Sequence, residues 1–436
     1  MKKIGIFTVG GSPEPIINAI KNHYFDFVFF ICTKGKPEVA SERVVDGRPL
    51  KNGEKIIVNE TGLSSHNYKK LPLDVDIVDD INAISSEIEK KLLPEVESMI
   101  NQWKHVEVIA NFTGGTKSMS IALALIAINQ EGWELQVNAG VRPNLIKIDT
   151  GDFPLYINKT NLKYKGERVH FNELMGKFFY EEILEKVERF LKDKSLPNDL
   201  RQELMILRNI LRVLILWDKF DHEKAENELD YVLGGLREES KIIKKMQPYR
   251  IWLKKINGKI RSNGFAKVID LFYNAKRRAK QERFDDAVAR YYRAIEMLAQ
   301  IRLISKYGID SSNIKCNELK GLPESALELL KKLCEKGADE KGKLKIGLVS
   351  DYEVLGSLND ELGKFYSERK KHLLMALEKR NNSILAHGNN PILRDDFKEI
   401  EPVFEEFIIE GLKSLGVHIN EGLQLPGALR DIGIIS

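Results

Sequence analysis

Uninterrupted apolar runs punctuate the first 165 residues, at 4–9 (IGIFTV), 25–32 (FDFVFFIC) and 106–111 (VEVIAN), and each suits a strand buried on both faces. Less uniform runs at 133–141 (WELQVNAGV) and 145–149 (LIKID) read as further strands. Between them, the stretches 15–23, 79–103 and 118–130 repeat apolar positions at the helical period. Beyond about residue 170 the strand-like runs nearly vanish, and segments such as FYEEILEKVERFLKD (179–193) and ELMILRNILRVLILWDKF (203–220) are helical in pattern. SLPND (195–199), QPYR (247–250) and SNGF (262–265) read as turns, and KGADEKGKLKIGLVSD (336–351) as a flexible insertion.

Strands alternating with helices predict a Rossmann-like α/β domain with a parallel sheet over 1–165. A helical connecting domain over 166–270 and an all-α domain over 271–436 complete the expected organisation. Composition changes this picture little. The 68 basic and 64 acidic side chains nearly cancel, so any surface for nucleic acid must be local. Cys32, Cys316 and Cys334 fit neither a disulfide framework nor a zinc site by spacing, which points to a reducing cytoplasm. The apolar run after the leading Lys pair is shorter than the ~7–15 residues of a signal peptide, and no stretch reaches the ~18 needed to cross a bilayer.

Two glycine-bearing turns each leave a strand and enter a helix, TVGGSPEP (8–15) and NFTGGTKSMS (111–120). Loops at the carboxyl ends of parallel strands line the ligand crevice, and glycine there admits backbone N–H groups to a phosphate. Ser12, Thr113, Thr116 and Ser118 add hydroxyls and Lys117 a positive charge. The second loop is not a Walker A motif, because Thr116 precedes Lys117 and Asn111 stands where its first glycine belongs; neither loop is G-x-G-x-x-G. Tight βα turns alone would also account for paired glycines, and Glu14 suits a helix dipole as well as a ligand.

These two loops, TVGGSPEPI followed about a hundred residues later by NFTGGTKSM, resemble those of the CRISPR-associated Rossmann-fold (CARF) domain over 1–165. The resemblance implies a homodimer that binds a cyclic oligoadenylate, the second messenger of type III CRISPR systems, with a four-membered ring favoured over a six-membered one. Thr8, Gly10, Gly11, Ser12, Pro13 and Glu14 with Thr113, Gly114, Gly115, Thr116, Lys117 and Ser118 would form the ligand-binding set. Ser12, Thr116 and Lys117 would serve any slow cleavage of the ring.

In LLMALEKRNNSILAHGNNPIL (373–393) the helical pattern runs to His387, with Gly388 and Pro391 as the stop. Arg380 and His387 lie seven positions apart, two turns of helix, which predicts both side chains on one face. An imidazole can move protons near neutral pH, a guanidinium can hold two phosphate oxygens, and Asn381 can orient either group. Such a set suits RNA cleavage in which the ribose 2′-hydroxyl attacks the adjacent phosphate. An Arg and a His at this spacing also arise by chance, and a His before Gly can simply end a helix. RNNSILAHG resembles the Arg, polar residue, spacer, His pattern of HEPN ribonucleases, and the helix ERFDDAVARYYRAIEMLAQIRL (282–303) resembles the first long helix of that domain. This resemblance covers about 270–415. It implies a metal-independent endoribonuclease for single-stranded RNA, with Arg380, Asn381 and His387 catalytic, its site shared across a dimer axis and no cofactor beyond the activating ring.

Two other functions fit the same residues, a non-catalytic nucleotide sensor with a helical dimerisation module and a Rossmann-type enzyme acting on a small nucleotide. The remaining histidines form no metal motif. His372 reads as solvent-exposed, the basic run KRRAKQER (276–283) as a solvated face or an RNA track, and Trp217 and Trp252 as core.

Overall fold

Isoleucine, valine and phenylalanine fill the strands of the N-terminal half, where branched and aromatic side chains fit a pleated surface. The computed structural model, which describes residues 1–36, 38–140, 152–193 and 196–434, builds them into one six-stranded sheet. In chain order the elements are β1 (Lys2–Thr8), α1 (Glu14–Asn22), β2 (Phe27–Thr33), α2 (Glu42–Asp46), α3 (Ile57–Thr61), β3 (Tyr68–Leu73), α4 (Ile81–Glu87), α5 (Leu93–Trp103), β4 (Val106–Asn111), α6 (Lys117–Asn129), β5 (Trp133–Ala139) and β6 (Phe153–Ile157). The strand order is β3-β2-β1-β4-β5-β6, parallel throughout except for antiparallel β6 at the edge.

Alternation along each strand divides the side chains between two cores. Ile4, Ile6, Phe29, Ile31, Val108 and Ala110 pack with Ile84, Val96, Met119 and Leu123 from α4, α5 and α6. On the opposite face Phe7, Val28, Phe30 and Ile109 pack with Ile16, Ile17, Val44 and Ile57 from α1, α2 and α3. The sheet is therefore doubly wound, and strand order reverses between β1 and β4. The chain leaving these two neighbours leads to helices on opposite faces, α1 and α6, and ligands of such sheets bind at this switch point. The fold is the expected Rossmann-like one; the expected strand at 145–149 lies outside the described residues.

The chain forms two compact units, Met1–Glu167 with Asp193–Leu200, and Arg168–Lys192 with Arg201–Ser436. The second is helical: α7 (Lys159–Gly176, which begins in the first unit), α8 (Tyr180–Lys192), α9 (Asn198–Asp218), α10 (His222–Gly234), α11 (Lys241–Ile256), α12 (Ala266–Lys280), α13 (Phe284–Tyr307), β7 (Ile314–Lys315), α14 (Glu324–Gly337), β8 (Lys343–Leu344), α15 (Leu348–Ser357), α16 (Glu361–Asn381) and α17 (Arg394–Ser414). Three local expectations are corrected. QPYR does not end a helix, since Pro248 sits inside α11. The segment 336–351 is not a loose insertion, because β8 pairs with β7 and α15 starts at Leu348. Cys316 and Cys334 form a disulfide across 18 residues, a pairing their spacing did not announce because only the fold brings α14 beside the end of β7. The cysteine argument for a reducing compartment therefore lapses. No helix among the described residues is long and apolar enough to cross a membrane.

Candidate functional site

The two glycine loops emerge from adjacent strands and pack on each other. Thr8, fully buried at the end of β1, donates its hydroxyl hydrogen bond to the Gly114 carbonyl at 2.6 Å. A Cβ on Gly114 would stand 2.3 Å from the Thr8 carbonyl oxygen, so only glycine permits this approach. Gly10 lies against Gly115 from the other side, with a built Cβ 3.0 Å from its amide nitrogen. Pro13 caps α1, and Gly11, Ser12 and Glu14 face solvent, as does Lys117 at the start of α6. The hydroxyls of the second loop already have structural partners: Thr116 caps α6 by accepting from the Met119 amide at 3.2 Å and donates to the Val78 carbonyl at 2.9 Å, while Ser118 donates to the Asp79 carbonyl at 3.2 Å. Amides and solvent-facing side chains are what the loops present to a ligand.

Beneath them lies a buried polar network that sequence reasoning missed. Thr113 donates to Asn111 Oδ1 at 2.7 Å and accepts from the Asn138 amide, also at 2.7 Å. The Asn138 amide group reaches the Pro15 carbonyl and Asp152 Oδ2, each at 2.6 Å, and Asp152 also accepts from Asn18 in α1. Both loops are thus tied to one set of interior side chains. Asparagines at or next to the ends of two strands, β4 and β5, were the available signal, since Asn is disfavoured in strands unless its amide has a task.

In the second unit the Arg/His segment departs from its expected form. α16 ends at Asn381, so His387 is not helical and the shared helical face does not exist. A compact loop replaces it. The Ser383 amide donates to the Arg380 carbonyl at 3.0 Å, the His387 amide to the Asn381 carbonyl at 3.1 Å, and the Gly388 amide to the Ser383 carbonyl at 3.1 Å. Ser383 and Asn390 close the base through an isolated bridge. The loop returns His387 to the end of α16, beside the residue that follows Arg380. The competing force is local: Asn381, Asn382 and Ser383 are weak helix formers, and the chain closes on its own backbone bonds in place of a further helical turn.

Arg380 is held from two sides. Its guanidinium lies over the ring of Tyr292 in α13 at 4.1 Å and donates from Nη1 to Asn381 Oδ1 at 3.1 Å. His387 is exposed, as is His372 on the same helix as Arg380. The arrangement places an anchored cation and a solvent-facing imidazole on one small loop. Tyr292 was not singled out from sequence, because only packing of α13 against α16 discloses it.

Asp351 in α15 is fully buried near this helix pair, with neither carboxyl oxygen hydrogen-bonded. Burial pushes its carboxyl up to about 7 from an ordinary 3.8, and Glu296 adds like charge against the opposing influence of Ser311, Gln300 and Arg293. Between these two values the folded chain keeps a proton that the unfolded chain releases, so stability declines as pH rises through that window and levels off above it. Asp351→Asn is accordingly expected to raise Tm at pH 8 by the equivalent of roughly 2–4 kcal/mol, with the gap narrowing toward pH 4; thermal melts across that range check it. Equal melting of both proteins at every pH would remove the buried acid from the account.

The basic run 276–283 is divided: Arg277 is fully buried and Arg278 nearly so, both on Asp218, while Lys280 and Arg283 at its far end are exposed. Trp217 and Trp252 are core residues, as expected, and Trp217 donates to Asp270 at 2.7 Å. No group of acidic, His and Cys side chains among the described residues could hold a metal ion.

A doubly wound domain with paired glycine loops is followed by a helical unit with a looped Arg/His pair. Residues 256–410 match the family model of the Csm6 HEPN domain, and the C-terminal domain is a HEPN domain of that kind. Csm6 from Enterococcus italicus, solved bound to cyclic hexa-2′-fluoro-hexa-dAMP, shares the fold at a TM-score of 0.58 and 12% identity, over 95% of this chain and 95% of its own. No curated protein matches the sequence.

Proposed function

We propose that this protein is an endoribonuclease of type III CRISPR defence, switched on by a cyclic oligoadenylate and cutting single-stranded RNA without a metal. The looped Arg380–Asn381–His387 set inside a Csm6-type HEPN domain carries this reading. In the proposed reaction the ribose 2′-oxygen attacks the adjacent phosphorus, the 5′-oxygen of the next nucleotide leaves, and a 2′,3′-cyclic phosphate and a 5′-hydroxyl result. His387 moves a proton at the attacking or leaving oxygen, and Arg380 neutralises charge on the non-bridging oxygens. A single imidazole cannot serve both oxygens at once, so a dimer pairing two loops supplies base and acid together. Exposed Ile384 and Leu385 in the loop, with Met375 and Leu393 flanking it, give a second copy an apolar surface.

The glycine loops are the proposed messenger site, and the ring held by the Enterococcus italicus protein supports that reading. Two-fold symmetry would let each subunit present the same loops to half of an even-membered ring. The ring must bind the active arrangement more tightly than the inactive one to shift it. Incubating the protein with labelled single-stranded RNA and, separately, cyclic tri-, tetra- and hexa-adenylate tests this, with the tetra-adenylate expected to stimulate cutting. Cleavage indifferent to every ring removes the switch; no cleavage under any condition removes the nuclease.

Gly114→Ala isolates the sensor from the chemistry. Its methyl would meet the Thr8 carbonyl, pushing the two loops apart. Loss of ring stimulation by at least about tenfold is expected, with basal RNA cutting retained, because each loop amide lost from a phosphate forfeits ~1.5–3 kcal/mol. Titrating ring against cleavage rate measures it.

A further inference from the structure

Carboxylates hold several arginines of the second unit in place: Asp218 holds Arg277 and Arg278, Asp286 holds Arg290, and Asp360 holds Arg302. The cations flanking the curled segment after α16 follow the same rule, with Lys379 on Glu399 and Arg394 on Glu282. Arg380 does not. Among the described residues it pairs with no carboxylate, and its guanidinium rests on the face of Tyr292 at 4.1 Å. The acids that bear on Tyr292 are engaged otherwise, since Glu296 pairs with Arg293 and Asp351 is buried with its carboxyl pushed up to about 7.

The choice of anchor has a chemical consequence. A carboxylate that fixes a guanidinium takes the forked N–H edge a phosphate needs and cancels the charge it would offer. An aromatic ring attracts the cation through its quadrupole and covers only the flat face, so the edge stays free. Asn381 accepts from Nη1 at 3.1 Å, and no nitrogen of Arg380 is buried without a partner. The rest of the fork is therefore open to a ligand.

Packing aims the ring. Tyr291, one residue earlier, is fully buried and donates its hydroxyl to Glu405 in α17 at 2.5 Å, which sets the rotation of α13. About 100° further round the helix, Tyr292 emerges half-buried against Arg380 in the last turn of α16. Burial raises its phenol above the ordinary 10, with Glu296 and Asp351 adding like charge against Arg380 and Arg293, so the ring is uncharged near neutral pH. We infer that Tyr292 is a positioning residue of the RNA-cutting site, a neutral anchor that holds the Arg380 fork in place and leaves it free to meet the scissile phosphate. The inference rests on the ribonuclease reading above and assigns Tyr292 no action except through Arg380.

Single-turnover cleavage of labelled RNA over a range of full-length protein concentrations tests it, on wild type, Tyr292→Phe, Tyr292→Leu, Tyr292→Glu, Arg380→Ala and the Arg380→Ala/Tyr292→Leu double variant. Tyr292→Phe keeps the ring and should stay within about threefold of the wild-type rate. Tyr292→Leu should lower the maximal rate ~10–10²-fold while the half-saturating concentration moves little, because the loss falls on the transition state. Tyr292→Glu offers Arg380 a stronger partner than the ring, yet its rate should fall at least as far. With Arg380 already Ala, Tyr292→Leu should cost less than about twofold more. Wild-type rates in Tyr292→Leu overturn the inference, as does full activity in Tyr292→Glu, which would make the anchor's charge immaterial. An undiminished loss from Tyr292→Leu in the Arg380→Ala background overturns it too, because a ring that merely supports the fold would act in both backgrounds alike. Arg380→Ala as active as the wild type would instead remove the ribonuclease reading, whereas inactive Arg380→Ala beside fully active Tyr292→Leu removes the anchor alone.

Discussion

His387→Ala is expected to lower cleavage of single-stranded RNA by about 10³-fold, within the ~10²–10⁴ that a positioned acid or base contributes. Arg380→Ala should fall as far, because a donor aimed at developing phosphate charge is worth ~10²–10³ in rate. The two effects should not add. Residues acting on one transition state fail together, so the double variant is expected to be no slower than the worse single one. Arg380→Lys separates charge from shape: it keeps the cation but loses the planar fork, and partial activity is expected. Folding is not at stake for His387, which is exposed, and Arg380 gives up only its contact with Tyr292 and Asn381. Single-turnover rates on end-labelled RNA, with melting curves alongside, measure all four proteins. Wild-type rates in His387→Ala would end the catalytic assignment.

Gly388→Ala reaches the same site without touching a reacting group. A methyl there would lie 1.8 Å from the Asn382 carbonyl oxygen, a backbone atom that cannot rotate aside, so the loop must open. The bond from the Gly388 amide to the Ser383 carbonyl at 3.1 Å is lost with it, and His387 loses its fixed place beside Asn381. A misplacement of about 1 Å is enough for a ~10²-fold loss of rate. Stability should change little, because the segment is mostly exposed and Ser383 and Ile392 alone are buried along it. Activity near that of the wild type would show that the loop need not be closed for the reaction.

How much of this was legible beforehand depends on whether the signal was local. The strands β1, β2, β4 and β5 and the wide helical remainder follow from period and run length, which act within a few residues, and they appear as expected; β3 and β6, of mixed composition, were not read as strands. The glycine loops were legible because turn chemistry is local too. Contacts made by distant segments were not. Cys316 meets Cys334 only once β7 and α14 are placed, and Arg277 is buried because Asp218, 59 residues earlier, stands opposite it. A run reading KRRAKQER carries no mark distinguishing a wet face from an ionic core. The helix through His387 failed for a subtler reason: its apolar spacing does fit a helix, but three consecutive weak helix formers outweighed it and the chain closed on its own backbone bonds.

The curled segment after α16 has a consequence for how the pair tolerates change. On a helix, one inserted residue would swing the imidazole through about 100° and out of register. In a closed turn fastened at Asn381, Ser383 and Gly388, an extra residue among Ile384, Leu385 and Ala386 can bulge outward while the ends stay put. Length variation between the arginine and the histidine is therefore compatible with an intact pair, and a search for distant kin should anchor on the two termini of the turn and leave their separation open.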